Sequence, residues 1–299
     1  MRDAALQGLA VGFFDGVHLG HQAILKGADA ALTFRNHPLT VLAPERAPRL
    51  IMSCEERVAA IRACGVKDVT VVEFTRELAE MPAEEFVDSF LKRKGFRFST
   101  VRCGANWRFG KGGKGDAEFL RSRGFEVSVV PYAEYKGERV SSSRIRRCLE
   151  NGEIEDANAM LGRKFQVSGL RFQGKGLGEK IGYPTVNLEV SERGSHESGE
   201  SSRIVLRRGV YEVEVGGLRG IANYGIAPTM GDKAWKSPIL EIHFLGDTSV
   251  PLSPSNSCSS LSVSILRFIR PERKFSSVEE LRRQIESDCK QCQEGIYHW

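Results

Sequence analysis

The sequence predicts two joined folds: a Rossmann-like, doubly wound parallel-sheet α/β domain, then a small antiparallel β-barrel with a C-terminal helix. Three observations carry that reading. Up to about residue 160, short apolar runs alternate with capped helical stretches, the pattern of a parallel sheet that binds ligands at the carboxyl ends of its strands. From Phe165 onward the runs are short, alternating and joined by glycine- and serine-rich turns, as in a small barrel. A chain of 299 residues also has room for two cores. The boundary falls between a helix ending near Leu161 and a strand starting at Phe165, which gives domains 1–161 and 162–299.

The first apolar run ends at Val11 and passes through Gly12-Phe13-Phe14-Asp15-Gly16 into a short helix after His21. Residues 30–34 form a second strand. Ser53-Cys54-Glu55-Glu56 is a capping box, and its helix should end at Cys64, before Gly65. Residues 69–74 are β-rich, and Pro82 suits the first turn of a helix carrying residues 85–91. Strands over 100–103 and 126–130 bracket a helix over 116–123 that Gly124 stops. In the second domain, strands are expected over 165–170, 209–215, 220–224, 239–245 and 261–268. Ser277-Val278-Glu279-Glu280 opens a final amphipathic helix running to about Cys289. Residues 191–203 and 248–260 read as loops.

Composition narrows the class. Hydrophobic and charged fractions of 41% and 27% are those of an ordinary globular protein. A net charge of +5 suits anionic small molecules, and without a basic, aromatic-lined stripe it argues against nucleic acid. Seven cysteines lack zinc-spaced pairs, apart from an isolated Cys289-x-x-Cys292, so free thiols in a reducing cytoplasm are expected. No signal peptide is seen and no apolar run reaches membrane length, so a cytoplasmic protein without a membrane partner is expected. It should be a monomer or weak homo-oligomer.

The chemistry is concentrated after the first strand, in Gly12 to His21. His18 and His21 stand three apart, which puts both imidazoles on one helix face. Gly20 between them removes a side chain that would keep a ligand from the backbone. With the helix N-terminus, these residues make a site for a polyphosphate. His37 follows the second strand, in Thr33-Phe34-Arg35-Asn36-His37-Pro38, and should lie at the same sheet edge. Gly104-Ala105-Asn106-Trp107-Arg108-Phe109-Gly110 follows another strand. It offers an amide, a guanidinium and aromatic faces to a phosphorylated, ring-bearing ligand. Arg139-Val140-Ser141-Ser142-Ser143-Arg144-Ile145-Arg146 opens a helix, with Ser142 and Arg146 one turn apart on one face.

HLGH followed by SSSRIR resembles the HxGH and (S/T)xxR signatures of the nucleotidyltransferase superfamily. Together with GFFDGVHLGHQ, TFRNHP and GANWRFGKG in that order, they are similar to the prokaryotic bifunctional riboflavin kinase/FMN adenylyltransferase (FAD synthetase) family. The resemblance implies transfer of AMP from ATP to FMN, giving FAD and pyrophosphate without a covalent enzyme intermediate. It implies that His18 and His21 meet the ATP phosphates, while Ser142, Ser143 and Arg146 grip the β- and γ-phosphates from the other side. Asn106 and Arg139 match positions near the nucleotide and the transferring phosphate. Gly12, Phe13, Asp15, Gly16 and Gly20 match the ATP-binding turn, and His37 and Arg108 are implied to bind FMN.

In the second domain, a glycine-rich loop with Gly174, Lys175, Gly176, Gly178 and Lys180 leads into Pro184-Thr185-Val186-Asn187, which resembles the PTxN motif of riboflavin kinases. That resemblance implies that the loop binds ATP, and that Thr185 and Asn187 help hold Mg²⁺ and the ATP phosphates. Glu241 alternates with apolar Leu240 and Ile242 and so faces away from them. By resemblance it is the base that takes the proton from the riboflavin 5′-hydroxyl. The implied small molecules are riboflavin, FMN, FAD and ATP.

The chain departs from the family pattern at several points. The helix after His21 is short, Asn36 stands where proline is common, Glu179 occupies a usually basic position, and a serine-rich stretch follows Leu245. Two alternatives stay open on sequence. One keeps only the adenylyltransferase, with a degraded kinase domain; the other is a non-enzymatic flavin- or nucleotide-binding protein.

Overall fold

A computed structural model of the chain describes residues 6–92, 98–174, 177–190, 202–225, 238–246 and 260–294. They form two compact units, 6–144 with 202–204, and 145–190 with 205–294. In the first, β1 (Leu6–Val11) is central, because Leu9, Ala10 and Val11 are all buried, as a strand covered on both faces requires. It pairs in parallel with β2 (Ala30–Phe34) on one side and β4 (Phe98–Gly104) on the other. With β3 (Asp68–Val72) and β5 (Glu126–Val130) outermost, the order is β3-β2-β1-β4-β5. The order reverses at β1, so the crevice beyond the carboxyl ends of β1 and β4 is the switch point where such sheets bind ligands.

The helices follow their sequence signals closely. They are α1 (Leu19–Leu25), α2 (Leu39–Leu42), α3 (Cys54–Ala63), α4 (Arg76–Glu80), α5 (Ala83–Phe86), which runs on into a π turn, and α6 (Ala117–Ser122). The Ser53 hydroxyl accepts the Glu56 N–H, and the Glu56 carboxylate accepts the Ser53 N–H in return. α1 is as short as expected and is closed from outside. Arg102 on β4 donates to the carbonyls of Ile24 (2.9 Å) and Ala23 (3.3 Å). A buried Ile24 and Leu25 pin the same end to the core.

The short helices α2 and α4 were not foreseen, nor was a hairpin of β6 (Glu134–Tyr135) and β7 (Glu138–Arg139). Its turn residues Lys136 and Gly137 both have positive φ, 55° and 74°, which suits the twist of a two-residue hairpin. The hairpin feeds α7 (Ser142–Asn151), followed by α8 (Ile154–Leu161). Sequence puts both helices in the first domain, whereas the chain from Ile145 onward groups with the second unit. α8 is bonded to the barrel: Asn158 donates its amide to the Ile265 carbonyl (3.0 Å) and accepts the Phe165 N–H (2.7 Å).

The second unit is a closed antiparallel barrel of β8 (Phe165–Phe172), β9 (Val186–Val190), β10 (Gly209–Val215), β11 (Leu218–Gly225), β12 (Ile239–Phe244) and β13 (Ser260–Arg270), ordered β10-β11-β12-β9-β8-β13. A short turn of helix, α9 (Leu177–Lys180), precedes β9. Leu188, Val213, Leu240, Ile242, Val263 and Ile265 fill the interior. The last helix, α10 (Val278–Glu294), is five residues longer than expected and is held to the barrel by arginines. Arg270 grips the buried Asp288 of α10 at 2.8–3.0 Å, and Arg219 and Arg267, both paired with the buried Glu212 of β10, donate to the α10 carbonyls of Cys292 (3.1 Å) and Gln291 (2.8 Å). The expected loops at 191–203 and 248–260 lie largely outside the described residues; Arg203 itself bridges to Leu50 and pairs with Glu56 at 2.7 Å.

Candidate functional site

The turn after β1 is a strained, tightly packed piece of backbone. Phe14 and Val17 have positive φ, 58° and 39°, a conformation that non-glycine residues hold only when their surroundings impose it. Phe14 is buried beneath the turn, and a Cβ on Gly12 would lie 2.9 Å from its ring. The Asp15 carboxylate is 2% exposed and accepts the N–H of Ile51 at 3.0 Å and of Met52 at 3.4 Å. The side chain of Asp15 therefore ties the turn to the next segment.

His18 caps α1, its Nδ1 accepting the His21 N–H at 3.4 Å. The two imidazoles stack, centroids 3.6 Å apart and planes within 18°. Gly20 has a more specific role than backbone access, because a Cβ there would stand 3.2 Å from the His18 ring. The first turn of α7 meets this motif directly, as the Ser142 hydroxyl donates to the Asp15 carbonyl at 2.9 Å. Ser141 caps that helix, Ser143 is exposed beside it, and Arg146 lies one turn beyond Ser142.

The other expected residues lie at the same sheet edge. His37 follows β2, its Nδ1 accepting the Leu39 N–H at 3.1 Å and its ring meeting Phe13 edge-on at 4.8 Å. Asn36, the departure from the family pattern, fastens this loop to the segment that follows β3. It donates to the Phe74 carbonyl (3.0 Å) and accepts the Phe74 N–H (2.9 Å). Asn106 and Arg108 are exposed in the turn after β4. The aromatic faces expected there as ligand surface belong to the core instead. Phe109 is buried with Trp107 stacked on it at 4.7 Å, and a Cβ on Gly115 would come within 2.6 Å of the Phe109 ring. Arg139 is exposed on the hairpin, its guanidinium 3.5 Å from the centre of the Tyr132 ring.

Two residues of this unit escaped the sequence reading. Arg144 donates to the carbonyls of Tyr135 (2.9 Å) and Glu138 (3.0 Å) and so knits the hairpin to α7. Arg57 is fully buried beneath Phe13. The clue to Arg57 was its place on the apolar stripe of α3 with Cys54 and Ile61.

In the barrel, strand register builds the site. Glu241 on β12 is paired directly with Asn187 on β9 and Asn223 on β11, so the three side chains share one face. Leu240 and Ile242 point the other way and are fully buried. The Glu241 carboxylate reaches solvent but is crowded by protein, which raises its pKa above the ordinary value, and Glu272 raises it further. The Asn223 amide lies 3.5 Å from the Glu272 carboxylate. Gly174 and Gly178 are packed where no side chain fits. A Cβ on Gly174 would be 2.2 Å from the Asn187 amide, and one on Gly178 2.3 Å from the Tyr183 carbonyl. Thr185 is exposed two residues before Asn187, and Glu179 is exposed on α9. Lys175, Gly176 and the side chain of Lys180 lie outside the described residues.

Comparison with known proteins matches each unit separately. Residues 3–144 match the model of the FAD synthetase family, and residues 161–296 match that of riboflavin kinase. Bifunctional riboflavin kinase/FMN adenylyltransferases are similar over nearly the full length. That of Escherichia coli (strain K12) is 32% identical over 300 residues, covering 94% of this chain and 90% of the relative. That of Bacillus subtilis (strain 168) is 30% identical over 298 residues, with 94% and 89% covered. A solved structure titled as a macrolide-efflux protein from Streptococcus pneumoniae superposes with a TM-score of 0.80 at 26% identity, covering 99% of this chain and 95% of that one. Among the described residues here, no helix is long and apolar enough to cross a membrane. The chain belongs to the bifunctional riboflavin kinase/FMN adenylyltransferase family, whose two reactions convert riboflavin to FMN and FMN to FAD.

Proposed function

We propose that FMN is adenylylated at the carboxyl edge of the first sheet and that riboflavin is phosphorylated at the Glu241 row of the barrel. One observation carries the first assignment. The Ser142 hydroxyl bonds to the Asp15 carbonyl, joining two motifs 127 residues apart at the sheet's switch point. There an FMN phosphate oxygen attacks the α-phosphorus of ATP, and the bond to the leaving pyrophosphate breaks. His18 and His21 bind the ATP phosphates, while Ser142, Ser143 and Arg146 neutralise the departing pyrophosphate. Asn106 and Arg139 steady the transferring phosphate. Gly12, Phe13, Asp15, Gly16 and Gly20 form the turn around the nucleotide, with Asp15 contributing backbone. His37 and Arg108 receive FMN.

In the barrel, Glu241 accepts the proton of the riboflavin 5′-hydroxyl as that oxygen attacks the γ-phosphorus of ATP, and the bond from the γ-phosphorus to the departing ADP breaks. The loop of Gly174, Lys175, Gly176, Gly178 and Lys180 surrounds the ATP phosphates. The donor set suits Mg²⁺, which keeps several waters and takes few protein oxygens alongside phosphates. The Asn187 amide sits against Gly174 where a Cβ would clash, with the Glu241 strand paired alongside. Thr185 and Asn187 would hold the ion, which offsets charge on the phosphate oxygens when bound. The functional division follows residues 1–161 and 162–299. The reading includes a cytoplasmic location, no nucleic-acid or membrane partner, and a monomer or weak homo-oligomer.

Chromatography of products from riboflavin, ATP and MgCl₂ with the purified full chain tests this reading. FMN should appear first and FAD follow, and a chelator should halt FMN formation. FAD formed only from supplied FMN would restrict the chain to adenylyl transfer.

A further inference from the structure

Among the described residues, Arg57 is the largest side chain to be fully buried, and no step above uses it. A buried cation is costly unless its surroundings hold it in a defined geometry. Its guanidinium carbon lies 4.3 Å from the centre of the Phe13 ring. One terminal nitrogen donates to the carbonyls of Phe34 and Arg35, the last residue of β2 and the first beyond it (3.0 Å to Arg35). Phe13 is fixed in turn from three sides. Arg57 covers its face, the Thr33 hydroxyl donates to its carbonyl at 3.0 Å, and the His37 ring meets it edge-on at 4.8 Å. The same loop is fastened at its far side by Asn36, whose amide reaches Phe74 and Thr40, and the Thr40 hydroxyl donates to the His37 carbonyl at 2.7 Å. With Nδ1 accepting from the Leu39 N–H, the neutral His37 ring carries its proton on Nε2.

We propose that Arg57 is a positioning residue for adenylyl transfer. Through the Phe13 ring and the Phe34 and Arg35 carbonyls it holds His37 as a fixed Nε2–H donor to the phosphate of FMN. The inference rests on the reading of His37 as an FMN-binding residue. Only arginine meets both demands at this position, because its planar fork stacks on a ring and donates in its own plane. A lysine keeps the charge but loses the stack.

Steady-state kinetics of Arg57→Lys in the full chain, with FMN and ATP varied separately, tests the proposal. The KM for FMN should rise about tenfold, with the KM for ATP and riboflavin phosphorylation changed by less than about twofold. In a His37→Gln background, Arg57→Lys should add less than about a further twofold, since both substitutions remove the same interaction. An unchanged KM for FMN in Arg57→Lys, or a full multiplicative loss on top of His37→Gln, overturns the inference. If His37→Gln alone leaves the KM for FMN unchanged, it is the FMN assignment of His37 that fails. Should Arg57→Lys not fold, Phe13→Leu interrupts the same relay and must reproduce the rise in the KM for FMN, coupled to His37 in the same way; additivity there also overturns the inference.

Discussion

Asp15 and Glu241 are both carboxylates of the two candidate sites, and their surroundings are opposite. Asp15 is buried and accepts backbone N–H groups from Ile51 and Met52, so its charge is used to hold the turn that carries His18 and His21. Glu241 stands open on a strand between two asparagines, and burial with a neighbouring carboxylate raises its pKa. The first site is therefore a folded turn held rigid by local packing and backbone strain. The second is a row of side chains aligned by strand pairing. A turn site should fail through loss of geometry, and a row site through loss of one chemical group.

The largest expected effect sharpens that contrast. Glu241→Gln keeps the shape of the row and removes the base, so riboflavin phosphorylation should fall by about 10²- to 10⁴-fold while adenylylation of supplied FMN is retained. Asp15→Ala should act differently, costing about 1–3 kcal/mol of first-unit stability by leaving buried N–H groups without their acceptor. Thermal unfolding and FAD formation should decline together in that variant; a loss of FAD formation at unchanged stability would place the carboxylate in the chemistry.

The smallest effect is on pH dependence. A raised pKa means that Glu241 is protonated, and unable to act as base, at pH values where an ordinary glutamate is already ionised. Phosphorylation should therefore be lost, as pH falls, earlier than an unperturbed carboxylate predicts. Glu272→Gln removes the neighbouring charge and should move that acid limb to lower pH. An acid limb that stays in place would detach Glu272 from Glu241.

The turn site was legible in the sequence because its residues are neighbours. His18, Gly20 and His21 declare their geometry by spacing alone. The parallel sheet that carries them also follows from the alternation of apolar runs and capped helices, whereas its strand order does not. What the sequence could not display were contacts made across long separations. Nothing near Asp15 marks Ile51 and Met52 as its partners, and nothing near Phe109 shows that its ring faces the core. The hairpin at Lys136-Gly137 was missed because its strands have only two residues each, too few to register a period. The barrel's row was half visible: alternation set the facing of Glu241, but only register reveals that Asn187 and Asn223 flank it.

The independence of the two sites is tested most directly by one product analysis of His21→Ala, given riboflavin, ATP and MgCl₂. FMN should accumulate at close to the parent rate, with no FAD formed even after FMN is in excess. FAD formed at the parent rate would contradict the assignment of adenylyl transfer to the stacked histidines, and loss of FMN formation would contradict the separation of the two reactions.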